Sequence, residues 1–357
     1  MVLPLILILS FFGYLFALAQ KKTHFTVVSG IFFSLVFILL NGFRDISLGE
    51  DSINYYNNYF LKAADFGSIT ELLARDAVFK ILNYIILFFG SSWYYYAFVM
   101  ASICLFLLIK INNIDKNKKS YLFLVLILIC PIFLENTINI LRSTLCSLII
   151  FYGYLNLDKN KKYGLFIILL GLLTHYLQGL IIFILFFSSR LNLIKTNKNL
   201  NFFVYAILFF TILKNYFLSL NFENVFVQFE LLNILMTDNY DSNYTLTQII
   251  GSQDRISTSL FFQLLLYLLI PLFLINFESL NSRNKQVVNY IVISLIIYVL
   301  LFPQLTFVVR LIPISLIAIT YLFSLKDSKF KMIYSFAILA LNIFIAINNF
   351  ISFNIII

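Results

Sequence analysis

Arg44 and Asp45 stand side by side in "NGFRDISLGEDSINYYNNYF" (Asn41 to Phe60), and Glu50, Asp51, Tyr55, Tyr56 and Tyr59 follow within a few turns of chain. A guanidinium is a planar fork that grips phosphate or carboxylate through parallel hydrogen bonds. Beside it, the Asp51 carboxylate can accept a proton or a sugar hydroxyl, Gly49 allows the turn between them, and the tyrosine rings can pack on sugar rings. The same residues also suit an ordinary interfacial belt with local ion pairs, since Tyr is enriched at membrane surfaces.

Four other stretches place polar chemistry among apolar residues. Arg142 stands in "NTINILRSTLCSLIIFYGY", near the start of an apolar helix. A charge at that depth is costly and usually faces a cavity, unless it snorkels to the headgroups. Arg310, in "FPQLTFVVRLIPISL", is placed in the same way. His175 stands in "GLLTHYLQGL", with Gly171 and Gly179 one turn to either side and Gln178 within a turn. If that segment is one helix, His175 and the two glycines share a face open to another backbone. An imidazole there is either a proton acceptor near neutral pH or a packed, hydrogen-bonded side chain. Arg75 and Asp76, in "ELLARDAVFKILNYI", are expected to pair locally on a partly exposed helix, with a substrate-binding role for Arg75 as the alternative. Asp254 and Arg255 are expected to be a surface pair.

The elements that carry these groups are hydrophobic. The chain of 357 residues is 61% hydrophobic and only 11% charged, against about 25% charged in soluble domains, so an integral membrane protein is expected. No Gly-rich phosphate loop is present, which argues against ATP hydrolysis. Two histidines and three cysteines give no metal-ligand spacing. Cys104, Cys130 and Cys146 are expected to be small buried residues. No cofactor, metal or nucleic-acid partner is expected. The opening run "MVLPLILILSFFGYLFALAQKK" has its basic residues after the apolar stretch rather than before it, so it reads as an uncleaved first helix.

Crossings are expected at about 3–19, 25–41, 93–110, 120–134, 138–157, 202–218, 259–276, 287–302, 305–325 and 331–347. Basic loops prefer the cytoplasm. All of them reach it if 77–90 does not cross fully and 163–187 enters and returns as a re-entrant hairpin with "THYLQG" (174–179) at its tip. A single tilted helix over 163–187 is the alternative. The expected fold is an all-α integral membrane protein of about 10–12 transmembrane helices. It is a single polytopic domain over 1–357, with long outer loops at about 42–92 and 219–258. Under this topology 15 of the 18 lysines are cytoplasmic, while five of the seven arginines and 12 of the 16 acids lie on the outer side. Lysine alone would satisfy the orientation rule, so the outward arginines imply a task. Arginines to hold a diphosphate, with a carboxylate or imidazole to take a proton from an acceptor hydroxyl, make a set suited to chemistry on a lipid-linked pyrophosphate.

The ordered set "FRDISLGEDSINYYNNYF", "ARDAVFKILNYIILFFGSSWYYYAF", "INILRSTLCSLIIFYGYLNL" and "KKYGLFIILLGLLTHYLQGLIIF", with Arg310 in "VVRLIPISL", resembles the EpsG/Wzy-type polysaccharide polymerases. Gly49-Glu50-Asp51 stands where that family often has Gly-Thr-Asp. Asp76 takes the place of a Glu, and Tyr176 takes that of a small hydroxyl residue. The resemblance implies a GT-C-like fold in the bacterial inner membrane and a site facing the periplasm. It implies a glycosyltransferase that moves a growing glycan from undecaprenyl pyrophosphate to the next lipid-linked repeat unit, without a metal. Its partners would be undecaprenyl-pyrophosphate-linked oligosaccharides, the lipid bilayer and a polysaccharide chain-length regulator. The site residues implied are His175, Asp51 and Arg142 as catalytic groups, with His175 and Asp51 both open as the base. Arg44, Arg310, Arg75, Tyr55 and Gln178 would bind substrate. The competing readings are a lipid-linked oligosaccharide flippase or transporter, an O-antigen ligase and a membrane acyltransferase. A transporter needs charges along a path through the midplane, often in two related halves, whereas these charges cluster on one face and no internal repeat is present.

Overall fold

A computed structural model of the chain describes residues 23–48, 51–65, 76–114, 121–128, 130–191, 193–217, 267–269, 271–301 and 310–324. The expected crossings at 3–19 and 331–347 and the loop 219–258 lie outside the described residues, as do Gly49, Glu50, Arg75, Asp254 and Arg255. Among the described residues the regular structure is helical and there is no strand. The described residues fall into two compact units, one within Met1–Phe183 and Leu316–Ile357 and the other within Ile184–Ser315.

The first described helix of the first unit is α1 (Thr23–Gly42). After the turn at 43–48, a run of helical turns passes from α (Ser52–Asn54) through a π stretch (Tyr55–Phe60) to a 3₁₀ end (Leu61–Asp65); it is called the rim segment below. Next come α2 (Ala77–Phe89), α3 (Trp93–Asn112), α4 (Leu122–Leu128), α5 (Pro131–Asn139), α6 (Leu141–Asn156) and α7 (Lys161–Thr174). α8 (Tyr176–Ser188) then leads out of this unit. α3 is the one described helix long and apolar enough to cross a bilayer alone. Its 20 residues rise about 30 Å, the thickness of the hydrocarbon core. α1 turns a stripe of large apolar side chains outward at Val28, Ile31, Phe32, Leu35 and Leu39, each at least half exposed. The three-to-four spacing makes one continuous apolar face, a surface that lipid covers and water does not favour. A membrane protein follows from this together with the composition. α2 has 13 residues and is too short to span, as the charge pattern required.

One expectation fails, and of the two readings of 163–187 the single helix is excluded. The crossing drawn over 120–134 is not one helix, because α4 and α5 are bent by 68° relative to each other. Pro131 opens α5, and a proline disfavours helical geometry in the residue before it and lacks the N–H to continue the ladder. The segment 163–187 does not run through His175 as a helix either. His175 has extended backbone (φ −149°, ψ 95°), which separates α7 from α8. His175, Gly171 and Gly179 therefore do not share one helical face.

Small residues set the register of α6 on α7. A Cβ added to Gly164 would stand 2.9 Å from the Gly153 carbonyl oxygen, and one added to Gly153 would stand 2.9 Å from Ile168. A Cβ on Gly171 would collide with Ile150. The glycines thus let two backbones approach as lipid-embedded helices do. The pairing runs antiparallel: Gly153 meets Gly164, Ile150 meets Gly171, and Cys146 lies under the His175 carbonyl. That register delivers His175 to the Arg142 end of α6. Beyond the break, Gly179 packs on the end of α7, where a Cβ would stand 2.8 Å from Leu172 Cα.

In the second unit α9 (Asn197–Phe217) packs with α10 (Ser282–Leu301), and the chain enters α11 (Ile312–Ser324), which continues into the first unit. Phe186 stacks on Tyr290 with centroids 4.1 Å apart, and the Ile194 N–H donates to Asn289 Oδ1 at 3.0 Å.

Candidate functional site

The site is built around Asp76, which sits alone at the head of α2. Its backbone is left-handed (φ 59°, ψ 35°), the one non-glycine residue with positive φ among those described. Asp tolerates this conformation better than most residues. Its carboxylate makes no capping bond to α2 and reaches two other elements instead. Arg142 Nη1, from the first turn of α6, donates to Asp76 Oδ2 at 2.5 Å, and the Tyr176 backbone N–H, opening α8, donates to Oδ1 at 2.8 Å. A carboxylate at a helix N-terminus is further stabilised by the helix dipole. His175 Nδ1 stands 3.9 Å from the same Oδ1, beyond hydrogen-bond length but well within the range of charge interaction.

Arg142 is held from its other side by Tyr59. Nη1 also donates to the Tyr59 hydroxyl at 3.1 Å, and the guanidinium carbon stands 5.0 Å from the centre of the Tyr59 ring. The ring is fixed in turn by Tyr55 at 5.9 Å and Phe79 at 5.8 Å, so rim segment, α2 and α6 are locked together by aromatic packing. Arg142 Nε is buried without a partner. Four separate elements thus bring a guanidinium, a carboxylate, an imidazole and a phenol into one cluster, with Asp76, His175 and Tyr55 all buried.

The other expected site residues lie as follows. Gln178 is buried in the first turn of α8 and donates to the Ser143 carbonyl and the Ser147 hydroxyl, both at 3.3 Å. It ties the chain after His175 to α6. Asp51 precedes the rim segment, and its carbonyl accepts from the Tyr55 N–H at 2.8 Å. Asp51 and Tyr55 therefore stand one turn apart at the head of the segment that carries Tyr59. Arg44 follows α1 and is buried against Trp93. Arg310 lies just before α11 in the second unit. Among the described residues no group of three or more His, Cys, Asp or Glu could hold a metal ion. Cys104 and Cys146 are buried reduced thiols, and Cys130 is buried too.

The expected local Arg75–Asp76 pair involves Arg75 and so lies outside the described residues. Asp76, in a left-handed turn, pairs through its carboxylate with Arg142, 66 residues on. The sequence leaves Asp76 without a definite catalytic or binding role, and an acid directly before an apolar helical run is the signal that points to it.

In chemical terms the cluster offers an imidazole beside a carboxylate, which can hold a proton, and a guanidinium whose buried Nε has no partner, which can hold an anion. No curated protein and no solved structure matches the sequence. The EpsG family model matches residues 27–356, a span that takes in every element of this cluster, and the chain therefore belongs to the EpsG family, whose role is of the polysaccharide-polymerase type.

Proposed function

We propose that the chain is a repeat-unit polymerase, a glycosyltransferase that takes a growing glycan from undecaprenyl pyrophosphate and places it on the next lipid-linked repeat. The observation that carries this reading is the buried Asp76–Arg142–His175 cluster with Tyr59, taken with membership of the EpsG family. In this reading the protein is a GT-C-like polytopic protein of the bacterial inner membrane with ten to twelve crossings, a hairpin at 163–187 and the cluster on the outer face. The break at His175 and the short α2 support that topology. A polysaccharide chain-length regulator would be its partner.

The reaction joins the acceptor hydroxyl oxygen to the anomeric carbon of the donor glycan. The bond from that carbon to the diphosphate oxygen breaks, and its electron pair leaves with undecaprenyl diphosphate. The acceptor proton passes to His175, whose Nδ1 side faces the Asp76 carboxylate and whose positive charge that carboxylate stabilises. Asp76 is a positioning residue here: it does not touch substrate, and it orients both the base and the anion-binding guanidinium. The Nε edge of Arg142 takes the leaving diphosphate, where a fixed cation counts most because charge develops there in the transition state. Tyr55 packs on a sugar ring, and Gln178 keeps the base against α6. Asp51 stands at the mouth as the alternative base, and Arg75 and Arg310 are further diphosphate ligands on chemistry alone.

Surface glycan length in a deletion strain complemented with wild type, Arg142→Ala or His175→Ala tests the reading, each variant first shown to reach the membrane. A ladder that collapses to a single repeat on core and returns only with wild type is expected. Bare core would assign the chain to ligation, and an unchanged ladder in the deletion strain would remove the polymerase reading.

A further inference from the structure

Arg44 is a buried cation to which the cluster above gives no use. It keeps 7% exposure. Its Nη1 donates to the Asn41 carbonyl at 2.6 Å, and its guanidinium lies over the Trp93 ring, 5.0 Å from the centroid. Its Nε has no partner, and no carboxylate pairs with it among the described residues. The neighbouring acid is engaged elsewhere: Asp45 accepts from the Ser47 N–H at 2.8 Å and the Ser47 hydroxyl at 2.7 Å. Burial pulls the Arg44 pKa down to about 10, still far above neutral, so the group carries its charge. A buried charge without a counter-charge is unfavourable, and an anion of matching geometry relieves it.

The platform under Arg44 is built rather than incidental. The Trp93 indole N–H donates to the Arg44 carbonyl at 2.9 Å, Tyr56 packs edge-on to the indole at 5.7 Å, and the Tyr56 hydroxyl donates to the Ser91 carbonyl at 2.6 Å. Tyr96 closes the far side at 5.9 Å. Tyr56 and Phe60 thus turn one face of the rim segment toward Trp93 and Tyr96, while Tyr55 and Tyr59 turn the opposite face toward Phe79 and Arg142. The two guanidiniums flank one helical segment, each stacked on an aromatic ring. Among the described residues Arg142 has a carboxylate partner and Arg44 has none.

We propose that Arg44 forms a second anion site, which takes the diphosphate of the acceptor lipid. This rests on the polymerase reading. Each turnover needs two lipid diphosphates, and they cannot sit together. The donor diphosphate leaves at the reacting carbon, beside His175. The acceptor presents its far sugar there, so its own diphosphate lies a repeat unit away. A site across the rim segment from Arg142 meets that requirement.

The chain holds a single tryptophan, and Arg44 lies on it, so Trp93 emission reports the occupancy of this site. The full chain in phosphatidylcholine nanodiscs is titrated with undecaprenyl diphosphate or with phosphatidylglycerol. A saturable emission change is expected with undecaprenyl diphosphate only, in wild type and in Arg142→Ala, and it should vanish in Arg44→Gln. Substitution keeps the carbonyl at position 44 that holds the indole. Arg44→Lys, which keeps the charge but loses the fork, is expected to bind about tenfold more weakly, the equivalent of one charge-assisted hydrogen bond. An equal response to phosphatidylglycerol, an unchanged response in Arg44→Gln or no response in wild type would overturn the proposal. Because binding is read without transfer, failure here is distinct from an unchanged glycan ladder, which would sink the polymerase reading itself.

Discussion

Asp76→Asn separates the charge of the central carboxylate from everything else it does. Asn adopts the left-handed backbone as readily as Asp, and its Oδ1 can still accept from the Tyr176 N–H, so neither the turn nor the start of α8 need change. What is lost is the negative charge 2.5 Å from Arg142 Nη1. Both side chains are mostly buried, at 16% and 11% exposure, so solvent screens little of the effect. Removing one partner of a buried pair leaves an uncompensated charge and costs about 3–5 kcal/mol; the residual exposure puts the expectation at the lower end, about 3 kcal/mol. Replacing both partners, as Asp76→Asn with Arg142→Met, removes the stranded charge and should recover most of that loss. Denaturation of the purified protein in detergent measures the cycle. Neither of these variants, nor Arg142→Met alone, which completes the cycle, should make polymer. Asp76→Asn as stable as wild type, or a double variant destabilised by the sum of the single effects, would refute the claim that this pair organises the site.

Tyr59→Phe keeps the ring under Arg142 but removes the hydroxyl that accepts from Nη1 at 3.1 Å. A hydrogen bond to a charged group implies a loss of about 1.5–3 kcal/mol in stability, read in the same denaturation assay, with polymer shortened rather than abolished. Gly171→Leu puts a side chain into Ile150 and the α6 backbone. Overpacking of about 1–3 kcal/mol is expected, together with loss of polymer, because the helix pair that brings His175 to Arg142 is forced apart. Gly171→Ala should fall between Gly171→Leu and wild type in a glycan ladder.

Much of this site could be read from the chain because buried charge in an apolar run is conspicuous. Arg142 and His175 stood out for that reason, and the structure brings both to one carboxylate. The start of α3 was equally plain: Gly90-Ser91-Ser92 breaks the preceding helix, and Ser92 Oγ accepts from the Tyr95 N–H at 3.3 Å. The part played by Asp76 was not legible because its partners arrive from 66 and 100 residues away. Nothing local announces a left-handed turn at an aspartate. The bend at Pro131 had a clear signal that hydropathy averaging hid. The break at His175 falls within the polar turn 174–179 that marked the expected hairpin tip, although neither proline nor glycine stands at the break itself, and contacts of α6 with Gly171 and Gln178 accompany it. The division of the rim segment into two aromatic faces was not legible, since its π turns shift the register away from the usual helical period.

The most direct test of the central claim is reconstitution. The purified chain in liposomes is supplied with undecaprenyl-diphosphate-linked repeat units, with no nucleotide present, and products are resolved by length. Wild type is expected to yield a ladder with stoichiometric release of undecaprenyl diphosphate, and folded His175→Ala to yield neither. A ladder of the same length and rate from His175→Ala would contradict the account of the site, and the absence of any product from folded wild type would contradict its assignment as the polymerase.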